Sequence, residues 1–448
     1  MDIEKGAGKI AKCLRLMLKD KPGHLSSVTN AIAQNNASVG DIHLVRVGRT
    51  HNTREIVVYV DSEEQFDELV EAISKLEGII VEDLIDLVHQ VHEGGKIATR
   101  SRVRIETITD VRQIYTPGVA AICKDIQRSP ELANKYTSIP NQVAIVTNGT
   151  AILGLGDIGA VAGMPVMEGK AVLFDHLVGV SGVPILIQSH DPQVIIDTVL
   201  NIASTFGAIK LEDIKAPECF LIEEVLDAQL DIPVMHDDQH GTAVVVLAAL
   251  LNATRFSGMM LKQATVGMIG LGAAGMGISK LLLSYGVKKV IGTDIDSNAR
   301  ERLVAAGGKE GTLEEVMQRA NIVIATTGRP GLITPEMVRK GSVILALSNP
   351  NPEIEPELAM QVGASFAADG KSVNNALAFP GLFRGALNVR ATRINNKMKI
   401  AAAQCIARHA EEHELVPSLL HPDVHKEVTA AVERAALESG VIKHWDGD

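Results

Sequence analysis

The chain has 448 residues, enough for about three domains at roughly 150 residues each. Its 46 % hydrophobic and 22 % charged residues are an ordinary globular balance. A net charge of −11 excludes a general electrostatic nucleic-acid binder, which needs a basic face, and one Trp, four Tyr and eight Phe argue against ring-stacking surfaces. The opening residues Met1 to Cys13 hold no apolar segment of signal-peptide length. No run of about 18 uncharged apolar residues occurs, so no membrane span is expected. Cys13, Cys123, Cys219 and Cys405 are scattered without metal spacing and read as reduced thiols filling space in a cytoplasmic protein.

In chain order, Cys13 to Leu18 alternates as a strand does, and Asp20, Pro22 and Gly23 break it. His24 to Gln34 carries Leu25, Val28, Ile32 and Ala33 at helical spacing. Ser38 to Val47 and Glu55 to Val60 alternate again across a polar turn from Gly48 to Thr53. Glu63 to Leu76 predicts an amphipathic helix with Phe66, Leu69, Val70, Ile73 and Leu76 on one face, and Ile79 to Val88 a last strand. The order β-α-β-β-α-β predicts a ferredoxin-like domain. Within it, Leu16-Met17-Leu18-Lys19-Asp20-Lys21-Pro22-Gly23-His24-Leu25 resembles the opening of an ACT domain, whose strand ends in Asp-x-Pro-Gly-x-Leu before a helix. That resemblance implies an amino acid or other metabolite effector at a dimer interface.

Residues 91–105, with Lys96, Arg100, Arg102 and Arg104, read as a linker. Beyond it, candidate strands at Val143 to Val146, Ile185 to Ile187, Ala208 to Leu211 and Ile232 to Met235 alternate with helical patterns at 192–205, 218–229 and 241–254, which predicts a largely parallel sheet. A second α/β unit begins at Thr265 and runs to about 375, and the remaining chain is mostly helical with a charged tail.

Two glycine motifs follow. Val266 to Ile269 is a short apolar strand, Gly270-Leu271-Gly272-Ala273-Ala274-Gly275 comes next, then a helix to about Tyr285, and a strand Val290 to Thr293 that ends in Asp294. Here the first Gly makes the turn, the second admits a pyrophosphate and the third lets helix and strand pack, with the phosphates at the helix N-terminus. Asp294 would accept the ribose 2′-OH and repel a 2′-phosphate, favouring NAD, while Lys288, Lys289, Arg300 and Arg302 keep NADP open. The second match, Gly154-Leu155-Gly156-Asp157-Ile158-Gly159, lacks a following long helix and reads as a tight loop lining a pocket.

Glu212 and Asp213 follow one candidate strand, and Asp237 and Asp238 follow another. Adjacent strands ending in acids would gather carboxylates at the sheet's carboxyl edge, where open α/β sheets bind ligands. Such a cluster calls for a cation, and oxygen-only ligation suits Mg²⁺ or Mn²⁺. His236 and His240 flank the acids and read as hydrogen-bonded structural groups.

Several stretches, in order, resemble malic enzymes of the short bacterial type. They are Tyr115-Thr116-Pro117-Gly118-Val119-Ala120, Ile152-Leu153-Gly154-Leu155-Gly156-Asp157-Ile158-Gly159, Pro165 to Phe174, Leu211-Glu212-Asp213-Ile214, His236 to Thr242, Ser348-Asn349-Pro350 and Asn374-Asn375-Ala376. The resemblance implies oxidative decarboxylation of L-malate to pyruvate and CO₂ with NAD(P) and Mg²⁺ or Mn²⁺. It implies Lys170 as general base, Tyr115 as general acid and Asp237 as the group orienting Lys170. Glu212, Asp213 and Asp238 would be metal ligands, and Asn349 and Asn375 would hold the malate carboxylates. Gly270, Gly272, Ala273, Ala274, Gly275, Asp294, Thr327 and Asn349 would face the dinucleotide. A malolactic-type enzyme, making lactate, uses the same groups, and a ligand sensor without catalysis is the alternative of another class.

One position departs from longer malic enzymes: where they carry a malate-gripping Arg, this chain has Ala151, and Arg384 is the candidate replacement. The expected organisation is an ACT-like regulatory domain (1–92), an α/β substrate and metal domain (93–245), a Rossmann-type NAD(P) domain (246–375) and C-terminal helices (376–448) returning to the substrate domain. The resemblance also implies a homodimer or tetramer, since short malic enzymes are typically dimers whose Tyr and Lys can come from the neighbouring subunit.

Overall fold

The computed structural model describes residues 9–152 and 154–443. Leu153 of the glycine loop, the first eight residues and the end of the charged tail lie outside the described residues. The chain divides into two compact units, one ending at Ala98 and the other beginning at Thr99.

The first unit runs β1 (Ile10–Lys19), α1 (His24–Gln34), β2 (Ser38–Val47), β3 (His51–Val60), α2 (Glu63–Ser74), β4 (Ile79–Asp86) and α3 (Leu87–His92). Its antiparallel sheet has the order β2-β3-β1-β4. Leu14, Leu16 and Leu18 point inward by strand alternation and meet Val28, Ile32, Phe66, Leu69 and Ile73 from the two helices. Gly23 stands at φ 100°, a left-handed conformation that costs glycine nothing, and so starts α1 at His24. The last strand stops at Asp86, short of the expected Val88, because the Asp86 carboxylate accepts the N–H groups of Val88 and His89 and caps α3.

The second unit opens with α4 (Ile108–Ile114), α5 (Val119–Arg128) and α6 (Ala133–Tyr136), none of which buries a residue. It continues β5 (Gln142–Thr147), α7 (Met164–Val178), β6 (Ser181–Leu186), α8 (Pro192–Ile202), β7 (Ala208–Leu211), α9 (Glu218–Gln229), β8 (Val234–His236) and α10 (Asp237–Phe256). These strands form a parallel sheet, β6-β5-β7-β8. A second parallel sheet, β11-β10-β9-β12-β13-β14, is built from β9 (Thr265–Ile269), α11 (Ala273–Tyr285), β10 (Lys289–Thr293), α12 (Ser297–Ala305), β11 (Lys309–Glu310), α13 (Leu313–Arg319), β12 (Ile322–Ala325), β13 (Val343–Ala346), α14 (Pro356–Gln361) and β14 (Phe366–Asp369). Helices α15 (Phe379–Asn388), α16 (Asn396–His409) and α17 (Val424–Ser439) close the unit.

One apolar core joins these parts. Phe174 of α7 meets Phe379 and Phe383 of α15 edge-on, at 4.8 and 5.5 Å between ring centroids. Helix α10 is apolar all round from Ala243 to Leu250 and is buried accordingly. Its Asn252 donates to the carbonyls of Ala407 and Leu415, fixing α10 to the end of α16. Gly277 of α11 has no room for a side chain, since a Cβ would stand 2.2 Å from the Gln239 carbonyl. Helices α10 and α11 therefore touch backbone to backbone, which places the glycine turn and the acidic start of α10 side by side.

Candidate active site

Register brings the acids together. Leu211 of β7 pairs with His236 of β8, so Glu212 and Asp213 leave the sheet beside Asp237 and Asp238. The latter two stand in the first turn of α10, which begins four residues before the expected helical pattern at 241–254, and there free backbone N–H groups favour negative charge. Carboxylate oxygens of Glu212, Asp213 and Asp238 lie within 4.8 Å of one another. The Asp213 N–H donates to Asp238 Oδ2 at 2.9 Å. Burial, and then the Asp238 charge, push the Asp213 carboxyl up to about 7. Three crowded oxygen donors, largely withdrawn from water, fit a hard divalent cation such as Mg²⁺ or Mn²⁺.

Lys170 projects from α7 into this cluster. Its Nζ lies 3.0 Å from Asp237 Oδ2, 3.0 Å from Glu212 Oε1 and 3.1 Å from Asn375 Oδ1. A second lysine, Lys210 of β7, is wholly buried behind it, contacts Glu212 and lies 2.9 Å from Asp237 Oδ2. Both ammonium groups lie against the Phe379 ring, at 5.0 and 4.7 Å from its centroid. Burial pushes Lys210 down to about 8 against the pull of Asp237. Burial works on Asp237 in the opposite sense, yet Lys210 and Lys170 outweigh it and hold the carboxyl below its ordinary range. Gly241 makes room for that carboxylate, because a Cβ there would meet Asp237 Oδ1 at 2.0 Å and Asn375 Cβ at 3.4 Å.

A further, partly buried carboxylate, Glu223 of α9, adjoins the acids. Glu223 accepts from the His236 N–H at 2.7 Å and from Gln239 Nε2 at 2.9 Å, and lies 3.0 Å from His240 Nε2. His240 is therefore tied to Glu223, and His236 Nε2 lies 3.4 Å from Asp238 Oδ2.

The glycine turn follows β9 directly. Gly270 has φ 90°, and a Cβ on Gly275 would stand 2.0 Å from the Gly270 carbonyl. Gly272 precedes α11, with Ala273, Ala274 and Gly275 in its first turn. Asp294 follows β10, and its carboxylate accepts the N–H groups of Leu271 at 2.6 Å and Asp296 at 2.9 Å. Across the sheet, buried Glu353 accepts from the Thr327 N–H and hydroxyl and from the Ser348 hydroxyl, at 2.6–2.8 Å. That carboxylate joins the ends of β12 and β13 and fixes the approach to Asn349. The loop at Gly154, Gly156 and Gly159 is tight, with positive φ at all three, and Gly154 lies beside Asn349 and Pro350.

Two candidates stand apart. Tyr115 caps α4, its side chain is largely exposed, and no hydrogen bond among the described residues joins it to Lys170. Arg384 points elsewhere: its Nη1 donates to Asn141 Oδ1 at 2.6 Å, at the amino end of β5, whereas the acids lie at the carboxyl ends of the strands. The expectation that Arg384 grips substrate is corrected accordingly. Sequence reading also missed Lys210, Glu223 and Glu353. A charged residue inside an apolar strand run, as at Lys210, was the one available signal.

Family descriptions match most of the chain: "Malic enzyme, N-terminal domain" over residues 95–193, "Malic enzyme, NAD binding domain" over 239–306 and 364–439, and "ACT domain" over 14–78. The chain is 52 % identical to NAD-dependent malic enzyme 1 of Bacillus subtilis (strain 168), over 96 % of this chain and 99 % of that protein. It is 43 % identical to the bifunctional malic/malolactic enzyme of the same organism, over 80 % of this chain and 93 % of that one. Among solved structures, the malic enzyme from Pyrococcus horikoshii Ot3 is similar at a TM-score of 0.74 and 41 % identity, covering 78 % of this chain and 89 % of that chain.

Proposed function

The chain belongs to the malic enzyme family, and on that premise we propose that it converts L-malate to pyruvate and CO₂, with NAD as hydride acceptor and Mg²⁺ or Mn²⁺ at Glu212, Asp213 and Asp238. The observation that carries this reading is the meeting of Lys170 with Asp237 and Asn375 beside the three-carboxylate cluster, in the unit that also holds the glycine turn.

Lys170 takes the proton of the malate C2 hydroxyl as hydride leaves C2. Asp237 and Asn375 hold its Nζ, so the amine keeps one direction through the transfer. Lys210 is a positioning residue: it holds Asp237 and Glu212 from the buried side. A divalent cation supplies Lewis acidity for negative charge on substrate oxygens. The β-keto acid formed loses its C4 carboxylate as CO₂, and Tyr115 delivers the proton that converts the enolate at C3 to pyruvate. Asn349 and Asn375 hold the carboxylates. Asp294, already bound to the turn through Leu271, faces the adenosine ribose and disfavours a 2′-phosphate.

We further assign Tyr115 to the site of a second subunit. Its exposure, and the exposed apolar side chains Val103, Ile105, Ile108, Ile114 and Val119 in the same stretch of chain, support a homodimer in which this segment is covered. The ACT match and the exposed Val39, Ile42, Leu44, Val45 and Val47 of β2 support a regulatory unit taking an amino acid or metabolic acid. No helix among the described residues is long and apolar enough to cross a membrane. All four cysteines are free, which supports a cytoplasmic setting.

The test follows NADH absorbance with L-malate, NAD and Mn²⁺, and repeats it with NADP. NADH and pyruvate should appear together, faster with NAD. The similarity to a bifunctional malic/malolactic enzyme favours one second reading, in which malate disappears into lactate without NADH. For the ACT unit, loss of residues 1–90 should abolish any response to amino acids or metabolic acids. If no such compound alters the full-length rate more than the shortened one, regulation through this unit is wrong.

A further inference from the structure

The mechanism leaves one wholly buried carboxylate unused. Glu353 lies in the loop between β13 and α14 and is 0 % exposed. Its Oε1 accepts the Thr327 N–H at 2.7 Å, the Thr327 hydroxyl at 2.8 Å and the Ser348 hydroxyl at 2.6 Å, and its Oε2 accepts the Ser348 N–H at 3.3 Å. What else the hydroxyls hold sets the direction of their bonds. Thr327 Oγ1 accepts the Arg329 N–H at 3.2 Å, and Ser348 Oγ accepts the Gly328 N–H at 2.7 Å. Both hydroxyl protons are therefore turned to Glu353. Four converging donors call for a side chain that only accepts, which is an ionised carboxylate. Burying a charge is costly, and an apolar side chain could fill the same space. What the carboxylate alone does is take four donors at once from two loops.

Those loops face different ligands. Strands β12 and β13 pair in parallel with Ala325 opposite Ala346, so the loops after them leave the sheet side by side. The first abuts the glycine turn: Thr326 Oγ1 donates to the Gly270 carbonyl at 3.2 Å, and a Cβ on Gly270 would lie 3.2 Å from Thr327 Cγ2. The second carries Asn349, whose side-chain amide is packed against Gly370, where a Cβ would stand 2.6 Å from Nδ2. We propose that Glu353 is a positioning residue that couples the two ligand sites: it locks the loop facing the dinucleotide to the loop facing malate, so one side chain sets both. Being wholly buried, it touches neither ligand and acts through Thr327 and Asn349. The proposal rests on the reading of those two residues as ligand contacts given above.

The experiment uses the full chain and Glu353→Gln, which keeps the shape and one oxygen but turns an amide NH₂ toward donors. NADH fluorescence without malate gives the dinucleotide affinity, kinetics at saturating NAD give the malate KM and kcat, and paramagnetic resonance of free Mn²⁺ gives the metal affinity. The NADH dissociation constant and the malate KM should each rise about tenfold, the worth of one hydrogen bond to a charged group. Mn²⁺ affinity should stay at the wild-type value, since the acids follow strands of the other sheet. Ser348→Ala removes one donor to Glu353 and the acceptor of the Gly328 N–H, and should move both constants the same way by less. It decides the matter should Glu353→Gln not fold. Both constants unmoved, or only one moved, in the folded variants would overturn the coupling. So would loss of Mn²⁺ binding alongside them, which marks a general collapse. A wild type that binds no NADH would sink the functional reading, and this proposal with it.

Discussion

Lys170, Lys210 and Asp237 are between 0 and 13 % exposed and each has two or more polar partners, whereas Tyr115 is 69 % exposed at the end of a helix that buries none of its residues. In the proposed mechanism the base, Lys170, is thus held within one chain by packing and by opposed charges, while the acid, Tyr115, stands open to solvent. If the reaction needs both, as proposed, activity depends on association, and that contrast can be broken or sharpened by substitution.

The largest effect is expected at the base. Lys170→Ala should lower turnover by about 10²–10⁴-fold, the usual worth of a positioned acid or base. Tyr115→Phe should also be impaired. Mixing the two variants then separates the halves. If Tyr115 serves the neighbouring site, a hybrid dimer carries one site with both groups intact, and a random mixture recovers roughly a quarter of wild-type activity. If both groups act within one chain, every site in the mixture lacks one of them and nothing is recovered.

Gly241→Ala comes next and tests how tightly the buried side is set. The substitution favours the helix by about 0.5–1 kcal/mol in backbone terms, so α10 should form. The new Cβ would nonetheless press on Asp237 Oδ1. A displacement of about 1 Å at a catalytic group costs about 10²-fold. Circular dichroism should be unchanged while kcat falls by about that factor. Full activity would mean that Asp237 is less constrained than its packing implies.

These same residues show what a sequence can carry. The helix His24–Gln34 was legible to the residue, because Asp20, Pro22 and Gly23 stop the strand and Gly23 supplies the left-handed turn. The helix Ala273–Tyr285 was legible for the same reason, with glycines before it and at Gly286 after it. Helix α10 was read as starting at 241 and in fact starts at Asp237: its first four residues, Asp237 to His240, lack an apolar helical pattern, and the charge preference of a helix N-terminus accounts for the acids there. The acids were legible because strand ends collect at one edge of a parallel sheet. Lys210 was not, since a charge inside a buried strand is reasonable only once Glu212 and Asp237 are seen on either side of it. Arg384 failed for a related reason, because sequence does not say which end of the sheet a helix residue reaches.

Glu223 sharpens the buried side through pH. Burial raises its pKa, but His240 and Lys399 outweigh burial and hold it at about 2, below the ordinary 4.5. His240 itself is pushed down by burial. Even neutral, it can donate Nε2–H, and the His236 and Gln239 N–H groups still favour the carboxylate. A depressed carboxyl stabilises the fold fully above the unfolded value and loses that contribution as pH falls through the folded one. Glu223→Gln should therefore be less stable than wild type near neutrality, by on the order of a few kcal/mol. Between about pH 4.5 and 2 the two melting temperatures should converge. A constant gap across that window would mean that hydrogen bonding, not charge, is what Glu223 contributes.

The smallest effect is expected on the exposed side, and its smallness is informative. Ile108 begins α4 at 68 % exposure. With nothing covering it, Ile108→Ser should change unfolding free energy by no more than about 0.5 kcal/mol, as ordinary surface substitutions do. If a second subunit covers the segment, the dilute chain still behaves that way, but burying the introduced hydroxyl in the interface costs affinity. The dimer should then dissociate at higher protein concentration than wild type, as sedimentation would read, and specific activity should fall on dilution in parallel. A variant that loses stability in the dilute monomer would show that α4 already packs within its own chain. An unaltered dimer and unaltered activity would detach this face from the subunit contact and leave Tyr115 to be completed by some other surface.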